Sequence, residues 1–321
     1  MKICLTNEKG DWDSSHTGKG KFVSRLIPAL EKLGATVTCD PAEKCDVALH
    51  IGHVRYKSRA LVNAIRVGPA RVSTHENYIK LNEERRKSLK LCDGIVYQSR
   101  YSRKVFHHFV WNPEDKVPEE VIYNGADPGF YAALTPMELP HKWVFLASTR
   151  KWITQKRLPD IIESFLLADI PDAGLYVTGE TLGISKRYQN VTQKVTFVGS
   201  LDDAELGRYY RSAAALVHIV YLDACPNTVV EAMCAGCPVI CSDQGGSQEL
   251  ARMGSFLTIQ DKPFQFKAIN LNHPPKIDRD ELAKAMWGAT SLQPKPVDEQ
   301  LTIQHTAARY MDFFGRLLNE R

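Results

Sequence analysis

Two carboxylates, Asp223 and Glu231, stand eight residues apart on either side of the run Pro226-Asn227-Thr228. Proline suits the first turn of a helix, where its missing N–H costs nothing. A helix opened by Pro226 directs the amides of Asn227, Thr228 and Val229 out of its start, as an anion site requires. One carboxylate just ahead of such a helix and another inside it can each accept hydrogen bonds from sugar hydroxyls. The ligand that answers both features is an anionic sugar carrier. Val229, Val230, Ala232 and Met233 would also fit a plain amphipathic helix feeding a core strand at Val239–Cys241. That reading accounts for the apolar residues and leaves the Asp, Asn and Glu without a purpose. A second source of charge is Arg150, just past the strand-like run Trp143–Ala147, followed by Lys156 and Arg157. Cations at the carboxyl end of a strand can hold a diphosphate, Arg in bidentate fashion and Lys as a point charge. Lys156 and Arg157 both stand open for the second role, and a solvated basic loop is the alternative.

These groups need elements to position them. Strand-like and helix-like runs alternate along all 321 residues, which predicts parallel sheets joined by crossover helices. In the first half the expected strands are Lys2–Leu5, Thr36–Cys39, Val47–His50, Ala70–Ser73, Gly94–Tyr97 and Glu120–Tyr123. Phe22, Leu26, Ile27, Leu30 and Leu33 share one helical face that ends at Gly34, and Asn82–Leu91 reads as a charged helix. Residues 131–141, with two prolines and no period, read as a linker. The second half repeats the alternation. Strands are expected at Trp143–Ala147, Gly174–Val177, Lys194–Val198 and Ala215–Val220, and helices at Leu158–Ala168 and Ala204–Ala213. Tyr310, Phe313, Phe314 and Leu317 place an amphipathic helix at Thr302–Leu318, while the proline-rich region 265–296 shows no period. Two Rossmann-like α/β domains follow, with ligands expected beyond the carboxyl ends of the strands, in a central cleft. The boundaries are 1–135, 136–301, and a terminal helix over 302–321.

The segment from Asp223 to Val239 resembles the nucleotide-diphosphate end of family 4 glycosyltransferases, which carry Glu, seven residues, Glu, then Ala-Met-x-x-Gly-x-Pro-Val. Asp223 stands where the first Glu is usual. The resemblance implies the GT-B fold, a last helix that crosses back to the first domain, and transfer with retention of configuration. It also implies that Arg150 and Lys156 bind the donor diphosphate, although the spacing here is one residue longer than the family's. By the same likeness Glu231 takes the nucleotide ribose, Asp223 the donor-sugar hydroxyls and His75 the transferring sugar, with His53 and Glu76 as alternatives to His75. Thr17-Gly18-Lys19-Gly20 resembles the family's glycine loop, and it is no P-loop, since Gly20 follows where Ser or Thr is needed. Gly179, and Gly199-Ser200-Leu201, resemble its loops around the base. Asn124-Gly125-Ala126-Asp127 reads as a structural turn, and Ser99 as an N-cap, in runs that resemble the family's. Asp202-Asp203 reads as a cap and not as a metal pair.

Composition narrows the class. Hydrophobic content of 44% and charged content of 24% fit a globular chain, and no run of 18 apolar residues appears. The first ten residues read as strand and loop, not as a secretion signal. Eight cysteines, mostly among apolar neighbours, suit reduced core thiols, and Cys234, Cys237 and Cys241 suit close packing better than zinc. A cytoplasmic location is expected, with peripheral placement at the inner membrane left open. Net charge is +4, yet residues 53–104 hold thirteen Lys and Arg against four Asp and Glu. Arg55, Lys57, Arg59, Arg85, Arg86, Lys87, Arg100 and Arg103 form either a solvated face or a polyanion contact. The expected activity is metal-independent hexosyl transfer from a UDP- or GDP-linked sugar, without a cofactor, to a glycan or glycolipid of the cell envelope. The alternatives are a phage-type transferase acting on hydroxymethylated DNA bases, or a sugar-nucleotide epimerase or non-catalytic nucleotide-binding relative.

Overall fold

The computed structural model describes residues 1–6, 18–52, 54, 58–68, 70, 72–73, 76–110, 117–181, 183–188 and 193–320. Elements run β1 (Lys2–Thr6), α1 (Gly18–Lys32), β2 (Thr36–Thr38), β3 (Val47–Gly52), β4 (Val62–Val67), α2 (Glu76–Leu89), β5 (Gly94–Tyr97), α3 (Arg100–Phe109) and β6 (Glu119–Val121). They continue as α4 (Pro128–Ala132), β7 (Trp143–Lys151), α5 (Leu158–Ala168), β8 (Ala173–Glu180), α6 (Ile184–Tyr188), β9 (Val195–Gly199) and α7 (Asp203–Ser212). The series closes with β10 (Ala215–His218), α8 (Asn227–Cys234), β11 (Val239–Ser242), α9 (Ser247–Ala251), β12 (Phe256–Ile259), α10 (Arg279–Ala289) and α11 (Ile303–Asn319). Two six-stranded parallel sheets result, ordered β2-β1-β3-β4-β5-β6 and β12-β11-β10-β7-β8-β9. This is the GT-B architecture of two Rossmann-like units.

The first unit comprises Met1–Gly125, Phe266–Ile269 and Gln300–Arg321. Its sheet is buried along β3 and β4, as a parallel sheet covered on both faces must be. Phe22, Leu26 and Leu30 of α1 enter one core with Tyr310, Phe313 and Phe314 of α11. The Phe22 and Tyr310 ring centroids lie 6.1 Å apart. Each such side chain contributes about 1.5–3 kcal/mol by leaving water. The chain passes so close to α11 at Gly125 that a Cβ there would lie 2.5 Å from the Ile303 Cα. The Asn124-Gly125 turn is thus structural, and Asn124 Oδ1 accepts a hydrogen bond from Arg66 Nη2.

Of the strand expected at Ala70–Ser73, Ala70 and Val72 lie outside any strand, and Arg71 falls outside the described residues. The fourth strand is β4, and Ser73 makes only a single parallel bridge to Ile269. Its sequence, Val-Asn-Ala-Ile-Arg-Val, hides because two polar residues are buried in it. Asn63 is held by His50 and Ser58, while the Arg66 guanidinium stacks 3.9 Å from the Phe22 ring centroid. The helix expected at Asn82–Leu91 starts earlier, at Glu76. Ser99 caps α3 in a capping box with Ser102.

The second unit comprises Ala126–Gln265 and Asn270–Glu299. Residues 126–135 belong to it and not to the first domain, where they were expected. Asp127 caps α4, and Arg211 and Arg208 of α7 donate to Tyr131 O and Thr135 O at 3.1 Å each. The aperiodic region 265–296 contains α10, opened by an Asp278 N-cap and seated against α5 through Leu282 and Met286. Asp202 caps α7 through Glu205. Cys234, Cys237 and Cys241 are buried, and burial pushes the thiols of the last two up to about 12. Among the described residues no group of three or more His, Cys, Asp or Glu could hold a metal ion. No described helix is long and apolar enough to cross a membrane.

Candidate functional site

The chain runs from β7 outward to β8 and β9, then returns to place β10 on the other side of β7. Strand order therefore reverses between β7 and β10. Ligands of open α/β sheets bind beyond the carboxyl ends of the strands at such a reversal. The last residues of β7 and the segment after it carry Arg150, Lys156 and Arg157, and the segment after β10 carries Asp223 and α8. A direct bond joins them, from Gln155 Nε2 to Tyr221 O at 2.8 Å.

On the β7 side the register slips between Ser148 and Lys151, and Arg150 ends up exposed. Gly179 makes this possible. A Cβ there would sit 1.7 Å from Thr149 O, and its φ of +93° is open to glycine alone at little strain. The missing side chain of Gly179 thus serves the contact between β7 and β8. Lys156 is half-buried; its Nζ donates to Thr149 Oγ1 and, at 2.8 Å, to Lys151 O. Burial lowers its pKa, with the charge of Asp223 pulling the other way. Arg157 behaves differently. It is 2% exposed, and its Nη1 and Nη2 donate to Asp261 Oδ2 at 2.5 Å and Oδ1 at 3.1 Å. Nη2 also donates to Pro275 O at 2.7 Å. The bidentate pair leaves Lys156 as the second cation able to meet an incoming anion.

On the β10 side, Leu222 adopts φ +60° and turns the chain so that Asp223 lies half-exposed. Gly246 N donates to Asp223 O at 2.6 Å, and Gly245 must lack a side chain because a Cβ would meet Asp223 O at 2.9 Å. Pro226 is the N-cap of α8 and not its first helical residue, and it has no side-chain group to cap the helix. Val229 N donates to Pro226 O at 3.2 Å, so its amide is used inside the turn and is not offered outward as expected. Thr228 N lies in the first turn of α8. Glu231 is 2% exposed and accepts from Tyr210 O–H at 3.3 Å. Burial, and then the nearby Glu231 charge, raise the Tyr210 phenol. A ribose would therefore share Glu231 with Tyr210.

The remaining expected residues are scattered. Gly199 (φ +86°) and Ser200 are exposed and Leu201 half-exposed beyond β9. Gly18 and Gly20 lie in the first turn of α1, in the first unit. His75 and its alternative His53, like Thr17, Arg55 and Lys57, fall outside the described residues. Glu76 begins α2 and pairs with Lys80. The basic run does not form one face. Arg85 is buried beside Asn82, Arg86 Nε donates to Val110 O at 2.8 Å, and Arg103 pairs with Glu119. Arg59, Lys87 and Arg100 are exposed. Sequence reading missed His218, the last residue of β10. Its Nε2 lies 3.5 Å from Asp223 Oδ2 and its Nδ1 3.4 Å from Thr228 Oγ1. The available signal was its position, five residues ahead of Asp223 at a strand end.

Residues 141–270 match the family model described as Glycosyl transferases group 1. The second unit is a glycosyltransferase domain. No curated protein matches the sequence. Among solved structures, sucrose-phosphate synthase from Thermosynechococcus elongatus is similar at 16% identity and TM-score 0.68, covering 100% of this chain and 97% of that one. HepE from Anabaena, in complex with UDP-glucose, is similar at 14% identity and TM-score 0.60, with 100% and 98% covered. The lipopolysaccharide outer core galactosyltransferase WaaB is similar at 15% identity and TM-score 0.58, with 100% and 99% covered. At these identities the likeness concerns the fold of the glycosyltransferase.

Proposed function

We propose that this protein is a retaining, metal-independent hexosyltransferase. It takes a UDP- or GDP-linked sugar and works on the cytoplasmic side on a glycan or glycolipid of the cell envelope. One observation carries the reading: Arg150, Lys156, Asp223 and the start of α8 gather where strand order reverses between β7 and β10. In sugar transfer from a diphosphate, negative charge builds on the departing diphosphate and positive charge on the sugar ring. Arg150, Lys156 and the Thr228 amide answer the first. Lys156 is partly desolvated before the ligand arrives, and in a lower dielectric its attraction to a phosphate is larger than in water. Asp223 answers the second and accepts from sugar hydroxyls; Glu231 holds the ribose. Retention rests on the likeness of the Asp223–Glu231 motif to family 4. The UDP-glucose complex of HepE supports the donor class, and WaaB the acceptor class.

The test is thermal stabilisation by a panel of nucleotide sugars, followed by turnover of Arg150→Ala. Ligand at a hundredfold excess over its Kd stabilises the native state by about 2.7 kcal/mol. Loss of one charge-stabilising donor lowers turnover by about a hundredfold or more. No stabilisation by any nucleotide sugar, or near-normal turnover of Arg150→Ala, sinks the reading.

A further inference from the structure

We infer that His218 is a positioning residue for Asp223. It fixes which carboxylate oxygen faces the donor sugar and ties that carboxylate to the first turn of α8. The inference rests on the reading of Asp223 above and adds to it a residue that the motif does not contain.

His218 ends β10 and is 6% exposed. Its Nε2 is buried and makes no hydrogen bond among the described residues, yet it lies 3.5 Å from Asp223 Oδ2. Buried polar atoms are nearly always paired, so an orphan aimed at a carboxylate just beyond bonding distance marks a contact that closes when something moves. The backbone of Asp223 is pinned by Gly246 N and by the left-handed Leu222, which leaves the side chain as the moving part. A small rotation of the carboxylate completes the bond to Oδ2 and leaves Oδ1 for a sugar hydroxyl.

The ring polarity follows from the partners. An ionised carboxylate only accepts, so Nε2 must carry the proton that faces Asp223. In the neutral ring Nδ1 then accepts, and Thr228 Oγ1, at 3.4 Å, supplies the donor. The Thr228 hydroxyl is thereby turned away from ligand, while its amide remains directed out of the helix. Lys156 is the cation that faces Asp223 from the β7 side.

The tautomer can be read without any substrate. In 15N-histidine NMR of the intact protein, the signal lost in His218→Gln is expected to be that of a neutral ring protonated at Nε2, and to shift in Asp223→Asn. An Nδ1-protonated ring, or a signal indifferent to Asp223→Asn, overturns the inference. In turnover, His218→Leu is expected to lose about tenfold in kcat with nucleotide affinity unchanged. His218→Gln, whose amide reaches the place of Nε2, is expected to recover most of it. Asp223→Ala is measured beside them. If Asp223→Ala slows transfer and His218→Leu, still folded by its thermal transition, does not, the inference is wrong and the proposed function stands. If Asp223→Ala does not slow transfer, the assigned role of Asp223 falls, and the inference falls with it.

Discussion

Lys156 and Arg157 are neighbours in sequence, carry the same charge, and meet opposite fates. Arg157, at φ +56°, turns inward to the Asp261 carboxylate, whereas Lys156 stays at the mouth of the site. Removing one partner of a buried pair leaves an uncompensated charge and costs about 3–5 kcal/mol. Arg157→Ala should therefore lower the unfolding free energy of the second unit by that amount, read as a lower urea midpoint. Lys156→Ala should leave the midpoint nearly unchanged and slow turnover instead. Equal effects of the two substitutions on stability would refute this division of labour. Sequence could name both cations as candidates but could not choose between them, because the choice is made by Asp261, 104 residues away from Arg157. The spacing of Asp223 and Glu231 made both candidates, whereas the use of the Val229 amide inside its own turn could not be read from sequence.

At the scale of elements, runs with one dominant period were easily read. Leu158–Ala168 forms as expected, because its apolar face is continuous. β4 escaped because Asn63 and Arg66 interrupt its apolar run, and only the fold reveals their buried partners, His50 and Ser58 for Asn63 and Asn124 with the Phe22 ring for Arg66. α10 escaped because prolines at 274, 275, 294 and 296 surround it, although Asp278 with Glu281 offered a helix-start signal. A buried polar chain crosses β1, β3 and β4. Thr6 Oγ1 lies 2.7 Å from His50 Nδ1, and His50 Nε2 lies 3.0 Å from Asn63 Oδ1. Burial lowers the His50 pKa below its ordinary 6.5. The unfolded chain therefore takes up a proton near pH 6.5 that the folded one refuses. Its contribution to stability is present above 6.5 and lost as pH falls from there toward the folded value. Unfolding measured at pH 7.5 and 5.5 should show the wild type weakening in acid, and His50→Gln should weaken less steeply. Identical slopes would show that His50 is not the proton acceptor. Gly179→Ala offers a second check on the elements, since its Cβ would overlap Thr149 O. Soluble, fully stable Gly179→Ala would contradict the register shift between β7 and β8.

At the scale of the molecule, the alternation of elements made two parallel-sheet units legible from sequence. Their division is less simple than a cut at residue 135. The first unit is built from three pieces of chain, and α11 supplies its core with Tyr310, Phe313 and Phe314. Phe314 is fully buried, so Phe314→Ala should cost about 3–5 kcal/mol in the first unit. Nucleotide-sugar stabilisation of the second unit should persist in that variant; its loss would mean that the two units do not hold their ligands and cores separately. Because α1 must wait for α11, a ribosome making this chain releases the first unit incomplete, with Phe22 and Leu26 uncovered, while the second unit is being synthesised. Amide-exchange labelling during refolding should find α1 among the last segments to gain protection, and nascent chains halted before residue 300 should present a sticky surface for chaperones to cover.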